Sequence, residues 1–472
     1  MDEPRACTTR RLWALQTAAV CLLPALLLGC GTAAAPTARP DPVNLPPIVF
    51  VHGNGDTAAL WTTTLWRFES NGWPRNRLHA IHLPYPQARD VDDVPQAGRS
   101  STQEHRDFLA AEVDKVLQAT GAPQVVLVAN SRGGNAVRSY ARSGGAAKVS
   151  HAVLGGTPNH GVWADATLRP MAEFNGAGPF LQGLNNQGAA GVEVTPGPKW
   201  MTIRSDNNDK FAQPDGVWIG SRGTPTNVTF AGPELKGALN VVLPGVDHRE
   251  TSYGPAAFAA TYRFITGREP ATTGFTAEAR IVLDGQVSGL GVNNVPSAGG
   301  AVNNLPLVGA TVEVFAVDAN TGERQGSAVL RKTLGADGRW GPLNAAPATP
   351  YEFVVAAPGY ATLHVYRSPF PRSSAVVHLR AERLAEADRT VGAVVTFARP
   401  RGYFGLPRDT VVLDGQNPAP GIPSGVAGVA VSKIRLPAAP PRAVVAQFNQ
   451  TRLVGRTWPA AENHVVLIEL HD

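Results

Sequence analysis

Cysteine is nearly missing from this sequence. The 472 residues include only Cys7, Cys21 and Cys30. Everything after Cys30 must therefore fold without a disulfide framework or a thiolate metal site. Charge is sparse as well: 17% of residues are charged, and the formal net charge is only +5. The basic residues are scattered and make no stripe that could follow a phosphate backbone, so no nucleic acid partner is expected. Long apolar runs are equally rare. The run Leu12 to Leu28 is broken by Gln16 and Thr17, and it is short for a bilayer core of about 30 Å. Glycine (49) and proline (40) are plentiful. With 43% hydrophobic residues over this length, two or three domains are expected.

The amino terminus reads as an export signal over residues 1–30. Arg5, Arg10 and Arg11 form a basic head, the apolar run follows, and Leu27-Leu28-Gly29-Cys30 closes it. A cysteine directly after a small residue resembles the lipobox of bacterial lipoproteins, which implies lipidation of Cys30 and membrane association through it. The resulting location is the outer membrane or the extracellular space. Residues 31–46, rich in Ala, Pro and Thr, read as a flexible tether.

The stretch that organises the rest is Val125 to Gly134. A buried strand, Val125 to Val128, is followed by Ala129-Asn130-Ser131-Arg132-Gly133 and the start of a helix. This is the layout of a nucleophile elbow, in which a serine sits on a tight strand-to-helix turn with its hydroxyl exposed. Small residues are needed two before and two after the serine, because the strand and helix backbones nearly touch. Ala129 and Gly133 supply them, with alanine where glycine is usual. Upstream, the apolar strand Ile48 to Val51 runs into His52-Gly53-Asn54-Gly55, a turn whose glycines let the backbone approach a ligand.

Strand and helix patterns alternate around these motifs. Leu78 to Leu83 reads as a strand, Ser101 to Thr120 as an amphipathic helix ended by Gly121, and Ala152 to Gly156 as another strand. The alternation argues an α/β fold with a doubly wound parallel sheet over residues 47–268. With the motifs His52-Gly53-Asn54-Gly55, Ala129-Asn130-Ser131-Arg132-Gly133 and Gly155-Gly156-Thr157-Pro158-Asn159-His160-Gly161, the region resembles an α/β-hydrolase of the bacterial secreted lipase and esterase type, similar to class 2 lipases.

That resemblance implies a Ser-His-Asp triad with Ser131 as nucleophile. It implies an oxyanion hole made by the backbone amides of Asn54 and Arg132. The family order puts the base last, and His248 in Leu243-Pro-Gly-Val-Asp-His248 stands at its place. His52, His151 and His160 are its rivals, with His52 expected to brace the oxyanion turn and His160 to face the pocket. Two residues fit the acid, Asp209 and Asp206. Asp209 is preferred because Asp209-x-x-Ala212-x-Pro214 resembles the run after the family's acid, and the other aspartate is expected to cap the turn. The acidic loop lacks the glycine and glutamate of an EF-hand, so no metal is expected, and no cofactor. In the long insertion Gly161 to Pro198, Trp163, Leu168, Met171, Phe174, Phe180 and Leu181 either line the acyl pocket or cover core.

After Pro270 helical periodicity fades. Short strands at Ala279 to Asp284, Ala310 to Val317, Ala328 to Leu334, Tyr351 to Ala356, Tyr360 to Val365 and Ala375 to Leu379 alternate with Gly and Pro turns. They predict a β-sandwich over 276–384 that resembles a transthyretin-like, carboxypeptidase-regulatory module. A second β domain is expected over 386–472. The whole reads as a carboxylic ester hydrolase with an acylglycerol or related lipid ester as partner. Alternatives are a polyester depolymerase, an acyltransferase, or a non-enzymatic surface-binding lipoprotein.

Overall fold

Four apolar residues in a row, Ile48–Val51 (β1), are all buried. Such a run suits a strand covered on both faces of a parallel sheet. In the computed structural model, which describes residues 45–186, 191–290 and 302–472, β1 lies inside a six-stranded sheet. The other strands are β2 (Leu78–Ala80), β3 (Val125–Asn130), β4 (Val149–Gly155), β5 (Lys199–Ser205) and β6 (Leu239–Leu243). Their order is β2-β1-β3-β4-β5-β6, and every pairing is parallel. Residues 1–44 lie outside the described residues, and with them the expected signal, Cys30 and most of the tether.

Local chemistry sets the helix ends. The α1 helix covers Thr62–Ser70. The α2 helix, Thr102–Thr120, opens on a Ser101/Glu104 capping box and closes on Gly121 at φ 65°. It lays Leu109, Val113 and Val116 against the sheet. The α3 helix, Arg132–Arg142, leaves the elbow and is buried along nearly its whole length. The short α4 (Pro179–Asn185) lies in the insertion, and α5 (Glu250–Tyr253) and α6 (Pro255–Thr266) follow β6. One expected strand is shorter than read: β2 stops at Ala80, and the Leu83 amide donates to His52 Nε2 at 3.1 Å instead of joining the sheet.

The second half is built on one seven-stranded mixed sheet. Its order is Leu330–Thr333, Thr311–Ala316, Tyr351–Ala356, Thr362–Arg367, His464–Glu469, Ala393–Ala398, Val431–Leu436. The two stretches read separately in sequence, 276–384 and 386–472, thus share a sheet, joined where Thr362–Arg367 and His464–Glu469 run parallel. Alternate residues serve opposite faces. Val394 and Val465 pack with Leu283, Trp340 and Leu379 on one side. Val395 and Val466 pack with Leu413, Val444 and Leu453 on the other. The hairpin Ala443–Phe448 and Thr451–Arg456 turns at Asn449, which takes φ 50°, a conformation that asparagine tolerates. The strand expected at Ala375 to Leu379 forms later, at Leu379–Ala381.

The two halves meet over a continuous surface. Trp66 of α1 is buried in the β region's own core, and its indole N–H donates to the Ser373 carbonyl at 2.9 Å. Arg401 Nε donates to the Ala59 carbonyl at 2.7 Å, and Asn304 Nδ2 donates to the carbonyls of Asp56 and Leu83.

Candidate active site

Ser131 stands between β3 and α3 at φ 51°, ψ −124°, a left-handed conformation costly for any residue with a Cβ. Close packing enforces it. A Cβ on Gly133 would lie 2.5 Å from the Val51 carbonyl oxygen, and one on Gly53 only 3.0 Å from Ser131 Cβ. The His52-Gly53 turn and the elbow therefore touch through backbone, and only hydrogen fits between them. The need for a small residue two after the serine is thereby explained.

The side chain after the serine locks the turn in place. Arg132 is fully buried. It bonds Glu173 at 2.7 Å, the carbonyls of Pro86 and Ser100, and the Ser100 hydroxyl. Burial still holds the Glu173 carboxyl above its usual range, although the Arg132 cation opposes this. The Arg132 amide belongs to the first turn of α3, where N–H groups have no intrahelical acceptor. His52 braces the neighbouring loop: its Nε2 accepts from Leu83, and its Nδ1 lies 2.9 Å from the Gly53 carbonyl. Burial lowers its pKa, which suits a neutral imidazole that accepts a hydrogen bond. Asn54 anchors the loop tip through its Oδ1, which takes the Ala88 amide at 2.8 Å.

The turns after β5 and β6 bring an acid to a base. His248 Nδ1 lies 2.8 and 2.9 Å from the two carboxylate oxygens of Asp209, and both residues are buried. Phe211 stacks edge-on against the imidazole at 4.6 Å. Asp206 goes elsewhere: its Oδ1 accepts from the amides of Asn207 (2.7 Å) and Gly245 (3.0 Å), and these bonds, the Gly245 one foremost, lower its pKa. The rival histidines also stand apart from the acid. His160 reaches Gly232 and Glu193, and His151 on β4 packs against Phe264.

Ser131, His248 and Asn54 line one cavity of about 320 Å³. Of the insertion residues, Trp163 and Phe174 contribute to its wall, whereas Leu181 is fully buried core. Phe211, Trp218 and Ile219 from the acid loop complete the apolar side, and Tyr403 of the β region closes it. Sequence reading missed Tyr403, since nothing local ties it to a site formed far away in the chain. Tyr403 also lies 3.8 Å under the Lys210 ammonium. Burial, with repulsion from Arg249, brings Lys210 down to about 8. Among the described residues no group of three or more His, Cys, Asp or Glu is placed to hold a metal ion.

Comparison with known proteins bears on both halves. The class 2 lipase model matches residues 45–169, and the lipase C-terminal domain model matches residues 279–384. Ser131 lies within the first match, and Asp209 and His248 lie between the two. Among solved structures, the mature lipase BlEst2 of Bacillus licheniformis is 22% identical over 49% of this chain and 96% of that one, with a TM-score of 0.33. Its propeptide form is 16% identical over 89% and 94%, with a TM-score of 0.34. Aspergillus fumigatus lipase B is 16% identical over 48% and 54%, with a TM-score of 0.35. These structural likenesses are too loose to bear on the site.

Proposed function

From an α/β-hydrolase of the lipase type that carries a lipase C-terminal domain, we propose an exported serine hydrolase of carboxylic esters, acting on acylglycerols or related lipid esters. The observation that carries this reading is the Asp209–His248 contact opening into the cavity that holds Ser131 on its strained turn. Asp209 occupies Nδ1 of the imidazole, which leaves Nε2 as the nitrogen for the serine. Ser131 Oγ attacks the acyl carbon while His248 takes its proton and then delivers it to the leaving alkoxide. Asp209 holds the tautomer and stabilises the imidazolium. The amides of Asn54 and Arg132 receive the oxyanion, a contribution of about 3–4 kcal/mol for each donor. Water then releases the acid from the acyl-enzyme by the same steps.

A cavity of about 320 Å³ lies at the small end for ligand sites, which favours short and medium acyl chains. The amino-terminal pattern supports export with a lipid on Cys30.

The test is hydrolysis of p-nitrophenyl esters across acyl lengths, with covalent labelling by a fluorophosphonate. Wild type hydrolyses short esters and takes the label on the Ser131 peptide. Ser131→Ala takes no label and loses roughly 10⁴-fold or more in kcat. Folded wild-type protein that neither hydrolyses nor labels contradicts the reading. Cys30→Ser tests the anchor: the variant leaves the membrane fraction if Cys30 is lipidated and stays there otherwise.

A further inference from the structure

The His248 carbonyl is held locally by the Thr251 hydroxyl at 2.6 Å and by Asn130 Nδ2 at 3.3 Å, but the charged anchors of its turn come from the other half of the molecule. Its neighbour Asp247 is fully buried. One carboxylate oxygen accepts the amides of Arg249 and Glu250. The other accepts from Arg399 at 2.9 Å and from the Tyr403 amide at 2.8 Å. Glu250, three residues on, meets Arg399 at 2.5 Å and Arg408 at 2.7 Å. The Arg249 guanidinium pairs with Asp56 at 3.0 Å and donates to the Pro400 carbonyl, so it makes no ion pair with Asp247. Among the described residues, the cations within 4.0 Å of Asp247 are Arg399 and Arg408, both of the β region. The acid turn is tied to the same segment: Asn208 Oδ1 accepts from Ala427, and Lys210 donates to the Gly428 carbonyl.

A buried carboxylate that loses its hydrogen-bonded cation is unfavourable. Arg408, at 3.6 Å, is too far to replace that hydrogen bond, and the turn that carries Asp247 shifts to reach water or a new donor. His248 is the next residue, so such a shift moves the imidazole against both Asp209 and Ser131. We propose that Arg399 is a positioning residue of the hydrolytic site, neutralising Asp247 and thereby holding His248 in reach of its acid and its serine. The β region is then part of the catalytic geometry, and its role extends beyond holding substrate. This rests on the ester hydrolase reading above.

The test uses full-length protein and two readouts. The first is the downfield proton resonance of His248 Nδ1–H bonded to Asp209, which needs no substrate. The second is kcat and KM on p-nitrophenyl butyrate. Arg399→Met is expected to lose or shift the resonance and to lower kcat roughly 10- to 100-fold with KM little changed, the size of effect that a misplaced catalytic group produces. Adding Asp247→Asn to Arg399→Met removes the stranded charge and restores most of both. Arg442→Met, which breaks the exposed pair with Asp414, matches wild type. If Arg399→Met does not fold, Arg399→Lys keeps a cation but cannot bridge Asp247 and Glu250 together, and it shows the same changes in smaller measure. An unshifted resonance with wild-type kcat in the Arg399 variants overturns the proposal. So does a loss carried by KM, or one that Asp247→Asn leaves unrepaired. A wild type that shows the resonance and its dependence on Arg399 but hydrolyses no ester contradicts the enzymatic reading and leaves the positioning role standing.

Discussion

The two sides of the candidate site are held by different physics. The Ser131 side is held by backbone: β1 and β3 run side by side, and the glycines at 53 and 133 let the two turns touch. The His248 side is held by charge, through Arg399 and Arg408 of the β region on Asp247 and Glu250. Contacts of the first kind are local to a strand-turn-helix unit. Contacts of the second kind join residues about 150 positions apart, so the α/β half completes only part of the site by itself.

The largest effect should come from removing the charged side altogether. A chain ending near residue 268 exposes Trp66, buried among β-region residues in the full chain, and strands Asp247 without a cation. It is expected to be insoluble, or folded without hydrolytic activity. A soluble fragment with wild-type kcat would break the comparison at once. Next, Asp209→Asn should lower kcat by about 10³–10⁴-fold, the usual result of losing the acid that orients the base. Asp206→Ala should cost about 1 kcal/mol of stability, the worth of a hydrogen bond, and only a few-fold in kcat. Reversed results would make Asp206 the acid. On the backbone side, Gly133→Ala forces a Cβ to within 2.5 Å of the Val51 carbonyl and should cost about 1–3 kcal/mol in a denaturant titration.

The smallest effect concerns pH at the boundary between the halves. His82 and His378 face each other there at 5.8 Å. Burial holds His82 at about 3 and His378 well below the ordinary 6.5. Both are therefore neutral when folded and take up protons on unfolding as pH falls below 6.5. The unfolded state binds more protons in that window, so stability is lost on going from pH 6.5 towards 3. His378→Gln should flatten this slope relative to wild type in denaturant melts. An unchanged slope would show that His378 is not buried as described.

What could be read from the sequence follows the same division. The elbow, the glycine turn and the capped α2 helix depend on neighbours in the chain, and their residues named them. Asp209 could be preferred over Asp206 only through a resemblance, and the structure separates them by partner: one meets His248, the other the Gly245 amide. Tyr403 in the cavity wall and Arg399 behind His248 left no trace, because an arginine or tyrosine in a turn of a β region looks like any other.

The most direct measurement of the account is fluorophosphonate labelling of the folded full-length protein, followed by peptide mass mapping, for wild type, His248→Ala and Ser131→Ala. The account predicts a single label on the Ser131 peptide in wild type, a much slower label on the same peptide in His248→Ala, and none in Ser131→Ala. A label on another serine, or one that forms on Ser131 at the same rate without His248, would contradict it.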